Sequence, residues 1–167
     1  MILIIIIVFV GVENFVYVDE SGIKNDCRRI WARSERGVKI HDVRPGKKSK
    51  RTNVVAGLWG KKHVAVKCYY HTTSSAFFEE WFEWKLLSVI PVGSVIILDN
   101  ASFHRKKALF QIAGRYGVYV LFLPTYSPDF NPIEHSWANL KRWLIDHLHR
   151  FTSIDFAIEH YFDTFHY

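Results

Sequence analysis

With 167 residues the chain is long enough to bury one proper domain core. Its 49% hydrophobic and 16% aromatic content excludes a disordered chain. The net charge of +6, with nine histidines in addition, suits a polyanionic partner and equally an ordinary basic protein.

The first twelve residues, MILIIIIVFVGV, are all apolar. They are too few to span a bilayer core of about 30 Å as a helix. No positive charge precedes the run and no small-residue cleavage site follows it, which argues against a signal peptide. The Ile/Val composition reads as a buried strand or a non-native start. Residues 1–13 are therefore set apart as an apolar segment of unclear role, ahead of one domain over 14–167. Cys27 and Cys68 fit no zinc-ligand spacing and make no disulfide framework, so a reducing cytoplasm and a packing role are expected.

Residues 14–19 read as a strand ending at Asp19 and broken by Ser21-Gly22. Residues 26–33, with Trp31 among arginines, suggest a second short strand, followed by a basic stretch to Arg51 that turns at Pro45-Gly46. TNVVAGLW and HVAVKCYY flank Gly60-Lys61-Lys62, the pattern of a hairpin. Thr72, Thr73, Ser74 and Ser75 are N-cap candidates for a helix whose apolar stripe is Phe77, Phe78, Trp81, Phe82, Leu86 and Val89. Pro91 and Gly93 end it. SVIIL at 94–98 suits a strand buried on both faces, residues 104–115 a helix stopped by Gly117, and 118–123 another buried strand. A loop with Pro124 and Pro128 leads to a final helix after Asn131. The order is three antiparallel strands, a helix, then strand–helix–strand–helix: an α/β domain with a mixed sheet of about five strands, three antiparallel and then two parallel, flanked by helices.

Three carboxylates stand out. Asp19 and Asp99 each follow an apolar strand, and ligand sites in α/β sheets form outside the carboxyl ends of strands. Asn100 and Ser102 are available as helix caps, which would free Asp99. Glu134 lies in the first turn of the last helix, with Asn131 as N-cap and Pro132 at the first helical position. There Glu134 either closes a capping box or leans toward the strand ends, beside the stripe Ile133, Trp137, Leu140, Leu144 and Leu148. Two aspartates and a glutamate converging in this way would suit magnesium, which prefers oxygen ligands. Two such ions about 4 Å apart can serve phosphoryl transfer.

YVDESG, ILDNASFH and LPTYSPDFNPIEHSWANLK resemble the catalytic domain of DDE transposases of the insertion-sequence-630 and mariner-like superfamily, over about Asn14 to Leu148. The 34 residues between Asp99 and Glu134 match one spacing of that superfamily. The resemblance implies a ribonuclease H-like DDE catalytic domain over 14–167. It also implies that Asp19, Asp99 and Glu134 are catalytic and hold two Mg²⁺ (or Mn²⁺) ions. The implied chemistry is hydrolysis of phosphodiesters at transposon ends, then strand transfer into target DNA. DNA is the implied partner, with a homodimer working on it and no membrane. A cytoplasmic location follows, on the nucleoid in a prokaryote. Members of the superfamily carry a helix-turn-helix region before this domain. A separate helix-turn-helix polypeptide or a frameshift-fused N-terminal region is therefore expected to read the ends.

Basic residues near the carboxylates are the expected DNA grip: Lys47, Lys48, Lys50 and Arg51; His104, Arg105, Lys106 and Lys107; Lys141 and Arg142. Each group alone is most often a solvated face, and together, in segments adjoining the carboxylates, they favour phosphate contacts. Two other readings stay open: a ribonuclease H-like nuclease that cuts without transfer, and a catalytically inactive fragment that binds DNA or a full-length transposase.

Overall fold

The computed structural model describes residues 11–24, 36, 51–124 and 131–165. The expected strand at 26–33, the basic residues Lys47, Lys48 and Lys50, most of the apolar start, and Pro128 lie outside these residues. Three strands form the antiparallel part of the sheet: β1 (Phe15–Lys24), β2 (Arg51–Trp59) and β3 (Lys62–Tyr69). Then come helix α1 (Ser75–Trp81), strand β4 (Val95–Leu98), helix α2 (Lys106–Arg115), strand β5 (Tyr119–Phe122), and helices α3 (Ile133–His147) and α4 (Ile154–Thr164). The sheet order is β3-β2-β1-β4-β5. β3, β2 and β1 run antiparallel, whereas β4 and β5 run parallel to β1, as the element order predicts.

β1 does not stop at Asp19. Its ladder with β2 is unbroken from Val16↔Trp59 to Lys24↔Arg51, straight through Ser21 and Gly22. The turn tendency of Ser-Gly is local, and a long antiparallel partner overrides it. Gly22 has a second use, because a Cβ there would collide with the Arg51 guanidinium lying over it. The β2–β3 turn is the expected one, with Gly60 at φ +59°. Farther along, the register shifts between Val55 and Gly57, leaving an extra residue on β3. Ala65 at this bulge adopts φ +55°, and the buried Trp81 indole donates to its carbonyl at 2.8 Å.

Alternate strand residues supply core on both faces of the sheet. Val16, Val18, Ile96 and Leu98 face Phe78, Trp81, Phe82 and Leu86, together with Leu109, Ile112 and Ala113 of α2. On the other side Ile23, Val54, Ala56 and Leu58 meet Ile133, Trp137, Leu140 and Leu144 of α3 and Ile154, Ile158, Tyr161 and Phe162 of α4. The result is three layers, with helices on both faces of the sheet.

Ser74 caps α1 as expected, accepting from the Phe77 amide at 3.3 Å. The stripe fails at its end. The helix passes into a π-helical turn over Phe82–Leu86, and Val89 is left 49% exposed. β5 is not the buried strand that its VYVLFL pattern predicts. Among the described residues it forms the sheet edge with β4 as its one neighbour, and Tyr119 is exposed and the rest half-buried. Leu148 likewise ends half-buried, in a short 3₁₀ turn after α3. Cys68 is free and half-buried. Burial, then the Asp155 and Glu159 charges, pushes its thiol up to about 12, which fits a packing role. Among the described residues no helix is long and apolar enough to cross a membrane.

Candidate active site

The parallel register pairs Phe15 with Val95 and Tyr17 with Ile97, an offset of 80 (95 − 15). Carried two residues further, the same offset (99 − 19) sets Asp19 level with Asp99, just past the last residue of β4. Asp19 is thus placed at a carboxyl end by its neighbour's termination, although β1 itself continues. Side-chain alternation gives Asp19 to the α3 face of the sheet and Glu20 to the α1 and α2 face.

On the α3 face the Trp137 indole, 1% exposed, donates to Asp19 Oδ2 at 2.9 Å. Glu134 lies one turn earlier on the same helix, and its carboxylate is exposed. The docked stripe therefore brings the first turn of α3 to Asp19. The Asp19 carboxyl is pushed up to about 7, first by burial and then by the Glu20 and Glu134 charges. The Trp137 and Glu20 hydrogen bonds pull it the other way. The capping box is absent. Pro132 occupies the cap position with no side-chain cap bond, and the Asn131 carbonyl accepts from the Glu134 amide at 3.2 Å.

Asp99 is tied on its other side. Its Oδ1 accepts from the Ala101 amide at 3.0 Å and faces His104 Nδ1 at 3.1 Å. The His104 bond, against burial, holds the carboxyl below its ordinary range. Asp99 thus closes this turn itself. Asn100 instead donates to the Leu123 carbonyl, and α2 starts after Arg105 without a side-chain cap. Neither Asn100 nor Ser102 caps the helix.

His104 does not offer a surface to DNA. Its side chain is 1% exposed, with Nε2 3.5 Å from Glu20 Oε1. Its ring lies against Phe78 and Phe103, with centroids 4.3 and 4.4 Å away. Burial opposes its protonation, but the Asp99 and Glu20 carboxylates prevail and raise it to about 9. The Glu20–His104 contact and the Trp137 donor are the parts that sequence reading misses. A signal was present in both cases: an acidic residue at an inward position of a buried strand, and a tryptophan whose N–H needs an acceptor when buried.

The remaining basic residues divide. Arg105 is engaged by Glu79, with Nε to Oε1 at 2.7 Å. Lys106 Nζ sits 4.8 Å over the Phe122 ring. Lys107, Lys141 and Arg142 are exposed, and Lys141 lies two turns beyond Glu134 on the same face of α3. Among the described residues no three His, Cys, Asp or Glu side chains gather closely enough to hold one ion. The donor chemistry nevertheless fits a hard divalent cation. The three carboxylates are all-oxygen ligands, and Asp19 is raised first by burial and then by the Glu20 and Glu134 charges, which a cation would offset.

A pH dependence follows. With Asp19 raised from 3.8 to about 7, the folded state binds the proton that the unfolded state releases, so stability falls as pH rises through this window. Asp19→Asn removes the cost of charging. In chelator, its melting temperature should match the parent's near pH 4 and exceed it above pH 7. Parallel melting curves across that range would show that Asp19 is not strained.

Comparison with known proteins supplies the family. The model of the DDE superfamily endonucleases matches residues 14–155. No curated protein sequence matches the chain. Among solved structures, the Mos1 transposase paired-end complex with left transposon end aligns with a TM-score of 0.75 at 17% identity, covering 98% of this chain and 52% of that one. The Mos1 mariner paired end complex with Mn aligns with a TM-score of 0.73 at 19% identity, covering 98% and 52%. The isolated catalytic domain of Mos1 mariner transposase gives 0.64 at 17%, covering 98% and 76%. The chain spans about half the length of the transposases in the DNA complexes. At such identities the likeness establishes the fold, which is the ribonuclease H-like fold of that catalytic domain. With the family model matched over most of its length, the chain belongs to the DDE superfamily endonucleases.

Proposed function

We propose that this chain is a transposase catalytic domain that hydrolyses DNA phosphodiesters at transposon ends and joins the freed 3′ end to target DNA. The observation that carries the reading is Asp19: a half-buried carboxyl level with Asp99, approached by the helix that bears Glu134, and raised to about 7 first by burial and then by the Glu20 and Glu134 charges. Asp19, Asp99 and Glu134 are the residues that would hold divalent ions, and the Mos1 structures with Mn and Mg support that choice of metal. Such ions, when bound, supply activation of a water and stabilisation of the leaving oxygen. The protein's own part is placement. Trp137 orients Asp19, the Ala101 amide holds the Asp99 turn, and the α3 stripe sets the first turn where Glu134 stands. No covalent protein–DNA link is required.

Lys141 and Arg142, exposed along the Glu134 helix, are the DNA contacts that this placement favours. Replacing both by Ala should weaken binding and flatten its log–log salt dependence by up to about 1.8, at roughly 0.9 per phosphate contact. An unchanged slope would move the DNA path elsewhere. The working unit is read as a pair of copies on DNA, and the complex of Mos1 transposase with a transposon end supports the DNA partner.

The test of the function is a plasmid assay. In Mn²⁺ the chain, with a recognition region added in trans, should nick supercoiled DNA and join a labelled 3′-hydroxyl oligonucleotide to it, and chelator should stop both. Nicking without joining would leave a nuclease; binding without nicking would leave an inactive fragment.

A further inference from the structure

His104 and Glu20 lie on the side of the sheet opposite Trp137, and the proposed chemistry leaves their arrangement unexplained. The imidazole is sealed between Phe78 and Phe103 with 1% of its side chain exposed, so it is closed to solvent. A buried imidazole flanked by two carboxylates is costly unless its ring nitrogens are engaged. Here Nδ1 faces Asp99 Oδ1 at 3.1 Å and also the Asp99 carbonyl at 3.2 Å, while Nε2 faces Glu20 Oε1 at 3.5 Å. The Ala101 amide donates to Oδ1, and His104 Nδ1, hydrogen-bonded to the Asp99 carbonyl, holds its charge within ion-pair distance of the same oxygen. Oδ2 accepts nothing among the described residues.

We propose that His104, steadied by Glu20, is a positioning residue for Asp99: it fixes Oδ1 so that Asp99 offers Oδ2 alone to a divalent ion. The proposal rests on the metal-holding reading of Asp99 above. The arrangement has a physical logic. A carboxylate free to rotate can present one oxygen or two, and ordering it costs entropy at the moment of binding. Fixing Oδ1 beforehand removes that cost and excludes the two-oxygen mode. Glu20 matters through its charge: Oε1 and Nε2 are buried 3.5 Å apart without a hydrogen bond between them, and their attraction favours the ring orientation that turns Nδ1 to Asp99. The buried position also explains why the pair sits behind the sheet: from there it can orient Asp99 without occupying the space that DNA needs.

The test compares two amides of similar size and measures Mn²⁺ affinity from the paramagnetic resonance signal of free Mn²⁺, without DNA. His104→Asn keeps an N–H where Nδ1 now stands and gives up Glu20. His104→Gln reaches toward Glu20 and leaves Asp99 Oδ1 with the Ala101 amide alone. The expected result is affinity within about threefold of the parent for His104→Asn and about tenfold weaker for His104→Gln, with similar melting temperatures. A role in packing alone would move both variants together, so equal affinities overturn the proposal. Should either variant fail to fold, Glu20→Ala is read instead: affinity about fivefold weaker is expected, and parental affinity overturns the role of the pair. Asp99→Asn is the control that separates the two readings. If it binds Mn²⁺ as tightly as the parent, or the parent binds none, the metal-site reading has failed, and this inference falls with it.

Discussion

Asp99→Asn is expected to abolish DNA nicking, lowering the rate by about 10³-fold or more, which corresponds to about 4 kcal/mol of barrier at 1.36 kcal/mol per decade. The substitution nearly keeps the shape of the side chain. Its oxygen can still accept from the Ala101 amide, which now bonds Asp99 Oδ1 at 3.0 Å, so the turn after β4 should survive. What is lost is the negative charge of Asp99, and with it the proposed ligand for a hard cation. Binding to DNA should be unchanged, because phosphate contacts from Lys and Arg dominate non-specific affinity. Nicking assays at saturating Mn²⁺, paired with filter binding, separate the two. A variant that nicks at the parental rate would remove Asp99 from the proposed site.

The second large effect is on stability. Trp137 is 1% exposed, packs its ring edge-on against Phe162 at 6.1 Å between centroids, and donates to Asp19. Trp137→Ala should cost about 3–5 kcal/mol, because it opens a cavity where α3 and α4 meet the sheet. For a chain of this size that is roughly a 10 °C fall in melting temperature. Trp137→Phe should cost much less, since most of the packing remains. It nevertheless removes the indole donor that now lowers the Asp19 carboxyl, so Asp19 should take up its proton at still higher pH. Urea denaturation of both variants, with the carboxyl titration followed by carbon-13 resonance, distinguishes packing from hydrogen bonding. Equal stabilities for the Ala variant and the parent would contradict the packing role. An unshifted titration in the Phe variant would contradict the donor role.

The sequence was most readable where short-range pattern and final environment coincide. The apolar run Val95–Leu98 is buried throughout, the Gly60 turn joins β2 to β3, and Ile133, Trp137, Leu140 and Leu144 form the inward face of α3. It was least readable where a distant segment decides. β1 outruns its Ser-Gly signal because β2 pairs with all of its second half. β5 reads like β4 by composition, yet it stands at the edge because of strand order, which no local pattern encodes. For the site, Asp19, Asp99 and Glu134 could be singled out from chain position alone. Their partners could not. His104 looked like a surface residue following a strand, and its burial depends on Phe78 of α1 and Glu20 of β1 closing over it. Arg105 looked free and is engaged by Glu79.

Helix α3 carries Trp137 and Glu134 on one rigid rod, docked by the same apolar stripe. Many enzymes keep scaffold and chemistry on separate parts, so that drift in one is tolerated by the other. Here that separation is missing. A substitution that lets the rod slide by even a fraction of a turn would loosen the protein and displace the proposed chemistry together. Substitutions in α3 that abolish the proposed activity should therefore tend to lose solubility at the same step, and revertants should restore both at once.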